Sequence, residues 1–130
     1  MKARGNLLRL KHFQVEDKTR QLAQIDMMIA EFGNMSEELD TQIRLEEEKA
    51  GISDPTHFAY PTFAKAAIQR RDNLKVSIRE LEEKRIGAVE ALEEADEELR
   101  KAQAKHERDG SSPIAEEPVE PALDRATMIG

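Results

Sequence analysis

Two long stretches without internal proline dominate this chain, residues 5–50 and 61–108, and in both the apolar residues recur at alternating steps of three and four. With Leu8 placed at heptad position a, the first stretch puts Leu8, Val15, Leu22, Ile29, Ser36 and Ile43 at a. Lys11, Lys18, Ile25, Phe32, Leu39 and Glu46 then fall at d, so eight of these twelve positions are apolar. The second stretch puts Ala64, Arg71, Ile78, Arg85, Leu92, Leu99 and His106 at a. Its d positions are Tyr60, Ala67, Leu74, Leu81, Ala88, Ala95 and Ala102, and eleven of the fourteen are apolar. A 3–4 repeat held over six heptads or more predicts helices that bury one narrow seam against a partner helix.

Composition narrows the fold further. Aromatic residues make up only 4% of the 130 residues while charged residues make up 36%, too few large side chains for a compact core of this size. The absence of cysteine excludes a disulfide framework, thiolate zinc sites and a cysteine nucleophile. The net charge of -7 argues against nucleic acid as a partner. No apolar run follows Lys2 and Arg4 as a signal sequence would require, and none approaches the ~20 residues of a membrane span, so a cytoplasmic protein is expected.

The charges fall in blocks that decide how the helices pair. Residues 1–20 carry six basic and two acidic side chains, and residues 21–50 carry two and eight. Residues 63–79 carry five and one, and residues 80–109 carry six and eleven. A parallel dimer would set like against like, whereas folding back sets each positive block beside a negative one. The connection GISDPTHFAYPT has the parts for such a bend. Gly51 suits the left-handed residue after a helix, Asp54-Pro55 suits the start of a short helical turn, and Pro61 suits the first position of the second helix. The expected fold is therefore all-α, a long two-helix antiparallel coiled-coil hairpin with helices over about 5–50 and 61–108 and a connection over 51–60. Facing residues would have numbers totalling about 110, or about 117 in a register one heptad longer. Residues 109–130, with Pro113, Pro118 and Pro121 among acidic residues, are expected to form a disordered tail.

Nothing in this pattern points to catalysis. His12, His57 and His106 are too dispersed for a local metal site, the acidic runs at Glu46-Glu47-Glu48 and Glu93-Glu94 lack a calcium loop, and no phosphate-binding glycine motif is present. No enzyme activity, cofactor or metal is expected. What remains is surface. Leu7, Leu10 and Phe13 stand among Arg4, Arg9 and Lys11, and Leu10 and Phe13 fall outside the seam at c and f. Phe58, Tyr60 and Phe63 gather three of the five aromatics at the bend, either to close the turn or to anchor a partner. Met27 and Met28 offer a softer patch. The candidate partner-binding residues are thus Leu7, Arg9, Leu10, Lys11, Phe13, Phe58, Tyr60 and Phe63.

The segments NLLRLKHFQVEDKTRQLAQIDMMIAEF, GISDPTHFAYPTFAKAA and QRRDNLKVSIREL resemble the FliJ family of flagellar type III export components in its alphaproteobacterial form, over roughly residues 1 to 108. The resemblance implies a cytoplasmic antiparallel coiled coil that serves flagellar subunit export and motility. It implies binding to the export ATPase ring, to the cytoplasmic domain of the export gate and to export chaperones, with recruitment to the membrane at the flagellar base only through those partners. A monomer is expected on this reading. The alternative is a structural coiled-coil scaffold or tether that homodimerises.

Overall fold

A computed structural model describes residues 2–110 of the chain, with side chains over 5–109. The fold is all-α, and its two helices pack against each other as an antiparallel hairpin. Helix α1 is Lys2–Ala50 and helix α2 is Thr62–Gly110. Asp109 and Gly110, expected in the tail, continue α2, since no proline interrupts the chain before Pro113. The rest of the expected tail, 111–130, lies outside the described residues.

Contacts divide the chain into two units. One combines residues 20–90, and the other combines residues 1–19 with 91–130. The unit of residues 20–90 contains the bend and most of the buried side chains. Leu39 and Ile43 from α1 pack with Ala67 from α2, and Ile68 and Leu74 lie against them. Ala64 is wholly buried and Leu81 nearly so. Alanine at these α2 positions gives the bulkier α1 side chains room across the seam, which is how a coiled coil alternates large and small residues. In the unit of residues 1–19 and 91–110, the one buried side chain among the described residues is Ala95.

Ion pairs across the seam fix its register. Arg71 reaches Asp40 at 2.9 Å and Arg85 reaches Asp26 at 2.5 Å in the first unit, and Lys11 reaches Glu98 at 2.8 Å in the second. Their residue numbers total 111, 111 and 109, which selects the register near 110 over the longer one. All twelve seam positions of α1 are at least partly buried. In α2, Arg85 and His106 are the exceptions. Arg85 turns outward to Asp26, and His106 lies exposed instead of entering the seam.

The connection is built around Glu47. Gly51 adopts φ 71°, and its N–H and that of Ile52 both donate to the Glu47 carbonyl, at 2.8 and 3.3 Å. This satisfies the last turn of α1 in the manner of a Schellman cap, and only glycine takes that backbone conformation without steric cost. Asp54 accepts from the Thr56 N–H and hydroxyl through Oδ1, at 3.0 and 2.8 Å. These hydrogen bonds hold its carboxyl below the usual aspartate range. A helical turn does not follow from Asp54-Pro55. Two successive tight turns form instead, with His57 N–H donating to the Asp54 carbonyl and Tyr60 N–H to the His57 carbonyl, both at 3.0 Å. His57 is the reason the chain turns again. Its Nδ1 accepts the Ala59 N–H at 3.0 Å, a bond that competes with helical hydrogen bonding. Pro61 precedes α2 by one residue and supplies the carbonyl that the Lys65 N–H reaches at 3.1 Å.

Candidate protein-interaction site

The aromatic cluster at the bend divides by role. Tyr60 is buried, and its hydroxyl donates to Glu47 Oε2 at 2.6 Å. Burial and the neighbouring carboxylate push the phenol up to about 12. Tyr60 therefore closes the seam, and this burial removes it from the set of side chains a partner can touch. Phe58 points the other way, 96% exposed and stacked on the His57 ring at 4.8 Å between centroids. Phe63 is 57% exposed. An exposed phenylalanine held against a second ring loses little freedom on binding, a property of anchoring side chains.

At the start of α1, Leu7, Leu10 and Phe13 are 43%, 49% and 60% exposed. Steps of three along a helix make them one slanting stripe that leaves the seam at Leu7 and reaches the outer face at Phe13. Arg9 is exposed and sits four residues before Phe13. Lys11 departs from the expected patch, because its ammonium is drawn to Glu98 across the seam. That bond holds the Glu98 carboxyl below the usual glutamate range. Lys11 is thus a cross-helix tie and not a free cation.

Heptad positions show a third surface within residues 20–90. The exposed apolar residues of α1 there, Met27, Met28, Met35 and Leu45, all fall at f, g or c. That flank also holds a groove of about 440 Å³ lined by Phe32, Met35, Leu39 and Leu74, with Glu38 and Arg70 on its rims. The opposite flank, through position e, is the one that the Asp26–Arg85 and Asp40–Arg71 pairs close. The Asp40 bond, with Asp72 on the other side, raises the affinity of the Arg71 guanidinium for its proton. Of this surface the seam count of the sequence singled out only Met27 and Met28. Applying the same heptad letters to c, f and g would have found Met35 and Leu45. Glu47 carries no such signal, since its role depends on which acid of a triplet faces the turn.

Among the described residues no group of three histidine, aspartate or glutamate side chains is placed to hold a metal ion. His12 and His106 are exposed, and His57 serves the turn. No helix among the described residues is long and apolar enough to cross a membrane. Compared with protein-family models, with curated proteins and with solved structures, the chain gives no match.

Proposed function

We propose that this protein is a non-enzymatic accessory component of flagellar type III protein export, acting as a helical hairpin that binds the export ATPase ring and the cytoplasmic domain of the export gate. The reading starts from the resemblance of residues 1 to 108 to the FliJ family. The observation that carries it is the exposed stripe Leu7, Leu10 and Phe13 beside Arg9, at the end of the hairpin where both helices have their termini. A seam two helices wide has no use for these side chains, and apolar groups framed by charge suit a partner surface. The exposed Phe58 and Phe63 and the methionine flank of residues 20–90 supply separate surfaces for the gate and for export chaperones. On this reading the hairpin works as a cytoplasmic monomer drawn to the flagellar base through its partners, and it connects ring to gate without chemistry of its own.

The test is co-purification of the full chain with the export ATPase and gate domain of its own source. The double variant Leu10→Ala with Phe13→Ala should lose the ATPase while keeping its helical circular dichroism. Equal capture of the variant and the parent chain would remove the stripe as the site. A second reading, a homodimerising scaffold, is favoured by the apolar flank of Met28, Met35 and Leu45. Light scattering separates the two readings, because a stable dimer at micromolar concentration would favour the scaffold.

A further inference from the structure

The bond from the Ala59 N–H to His57 Nδ1 runs from the backbone of residue 59 to the side chain of residue 57, so it closes a ring around Phe58. Together with the stack of the two aromatic rings at 4.8 Å, it fixes a side chain that is 96% exposed. The acceptor in that bond is the in-plane lone pair of Nδ1, and the neutral ring therefore carries its proton on Nε2. A second proton can go only to the lone pair that Ala59 uses, and the imidazolium then has donors at both nitrogens. Two N–H groups would face each other across 3.0 Å. Protonation and the bond thus exclude each other, and histidine ordinarily changes charge between about pH 5 and 8.

The surroundings of the ring favour the exchange of one contact for another. Asp54 is the charged group of the connection in electrostatic contact with His57. Its Oδ1 accepts both Thr56 bonds, and Oδ2 is not used by them. Because those bonds hold the Asp54 carboxyl below the usual aspartate range, it stays ionised while a histidine titrates. An imidazolium at residue 57 is attracted by Asp54 as it gives up Ala59. The charges that the helices bring to the bend are engaged elsewhere. Glu47 of α1 is bound to the Tyr60 hydroxyl, and Arg71 of α2 is bound to Asp40 and Asp72.

We propose that His57 is a proton-sensitive latch on Phe58. While the ring is neutral, the Ala59 bond holds the second turn and Phe58 stands as a fixed anchor. When the ring is protonated, the bond is lost, the turn loosens, and Phe58 no longer keeps one position. The Tyr60–Glu47 bond is not part of the latch, and the seam stays closed in both states. The latch itself stands apart from the function proposed above. Only its use, an acid-sensitive grip of a partner on Phe58, rests on that reading.

Amide spectra of the ¹⁵N-labelled full chain, followed from about pH 8 to pH 5, test the latch. The Ala59 amide proton should move upfield, as a proton does when its hydrogen bond is lost, with the same midpoint as the His57 ring signals. In His57→Asn the side-chain oxygen can still accept from residue 59, as Asp54 accepts from Thr56, but it does not titrate. The Ala59 signal should then stay downfield throughout. In His57→Ala it should sit upfield at every pH. All these chains should keep the same helical circular dichroism, because residue 57 lies outside both helices. An Ala59 signal that stays put while the His57 ring titrates would overturn the latch. So would a shift of equal size in His57→Asn, which would assign the change to another group.

The use is read separately, by capture of the export gate domain at the two ends of the same pH range. Capture that weakens on acidification in the parent chain but not in His57→Asn would support it. Equal weakening in both chains, or none in either, would remove the use and leave the amide result standing. No capture at either pH would count against the function proposed above and not against the latch, so the two failures are distinguishable.

Discussion

Residues 20–90 and residues 1–19 with 91–110 obey one heptad pattern, yet they are held in different ways. In the first unit the seam buries Ser36, Leu39, Ile43, Tyr60, Ala64, Ala67 and Leu81, two arginine–aspartate pairs close one flank, and Glu47 ties the bend at three points. In the second, Lys11 and Lys18 occupy d positions, and of the described residues only Ala95 is buried. Long cationic side chains keep a seam in register by packing their stems, but they bury less apolar area than leucine would. A repeat thus specifies where helices meet, while the residue filling each position specifies how firmly. Opening should be graded accordingly, with amides of the second unit exchanging faster than those around Leu39 and Ala67.

The largest expected effect comes from removing what the second unit lacks. Leu39→Ala takes away a side chain 7% exposed at the centre of the cluster with Ile43 and Ala67. It should cost ~2–4 kcal/mol in urea unfolding followed by circular dichroism. Val15→Ala, at a half-buried seam position of the second unit, should cost ~1 kcal/mol or less. Equal costs would end the distinction between the two units.

A smaller change should widen the contrast from the stable side. Gly33 and Gly87 lie inside helices of the first unit, and a Cβ built at either meets nothing within 4 Å. Alanine at each should add about 1 kcal/mol through helix propensity alone. Gly51, at φ 71°, should respond in the opposite direction to the same substitution. A midpoint that fails to rise in the double variant Gly33→Ala with Gly87→Ala would mean these helix interiors are already limited elsewhere.

How far these features could be read from the sequence follows the range of the interactions behind them. Seam membership is local periodicity, so Leu39, Ile43, Ala67 and Ala95 were identifiable from spacing. Antiparallel pairing followed from charge blocks because many weak terms of one sign add. The register near 110 needed the individual pairs, Arg71 with Asp40 and Arg85 with Asp26, and spacing alone left it open. The bend departs from its sequence pattern in one respect, because Asp54-Pro55 is a helix start by composition yet two tight turns form there. The His57 side chain takes the Ala59 N–H and forces a second turn. The aromatic cluster was legible as a cluster, but the division between buried Tyr60 and exposed Phe58 depends on the three-dimensional path of six residues. Lys11 looked like part of a basic patch until Glu98, 87 positions away, claimed it.

Tyr60 provides a probe confined to the first unit, as it is the sole tyrosine in a chain without tryptophan. Its phenol is pushed up from the ordinary 10.0 to about 12. The folded chain favours the protonated form, so this contribution to stability is complete below pH 10 and is lost as pH rises from 10 to about 12. Ultraviolet titration of tyrosinate should show a midpoint near 12 that moves toward 10 in Glu47→Ala. A midpoint near 10 in the parent chain would mean that the bend is open in solution.

The smallest expected effect belongs to the second unit and has the reverse pH sense. The ammonium of Lys11 holds Glu98 below the ordinary 4.5 of a glutamate, so the folded chain favours the ionised carboxylate. The contribution is present above the unfolded-state value and disappears as pH falls through the lower folded value. Glu98 is half exposed and Lys11 partly so, and salt should weaken the tie as it weakens pairs that water reaches. Hydrogen exchange resolved by residue should therefore show that acidification loosens residues 8–18 and 91–102 before it touches the Leu39–Ile43–Ala67 cluster. Lys11→Met should blunt that acid response without transferring it to the first unit. If both units loosened together on acidification, the two would form a single cooperative block, and the difference in burial between them would have no consequence for opening.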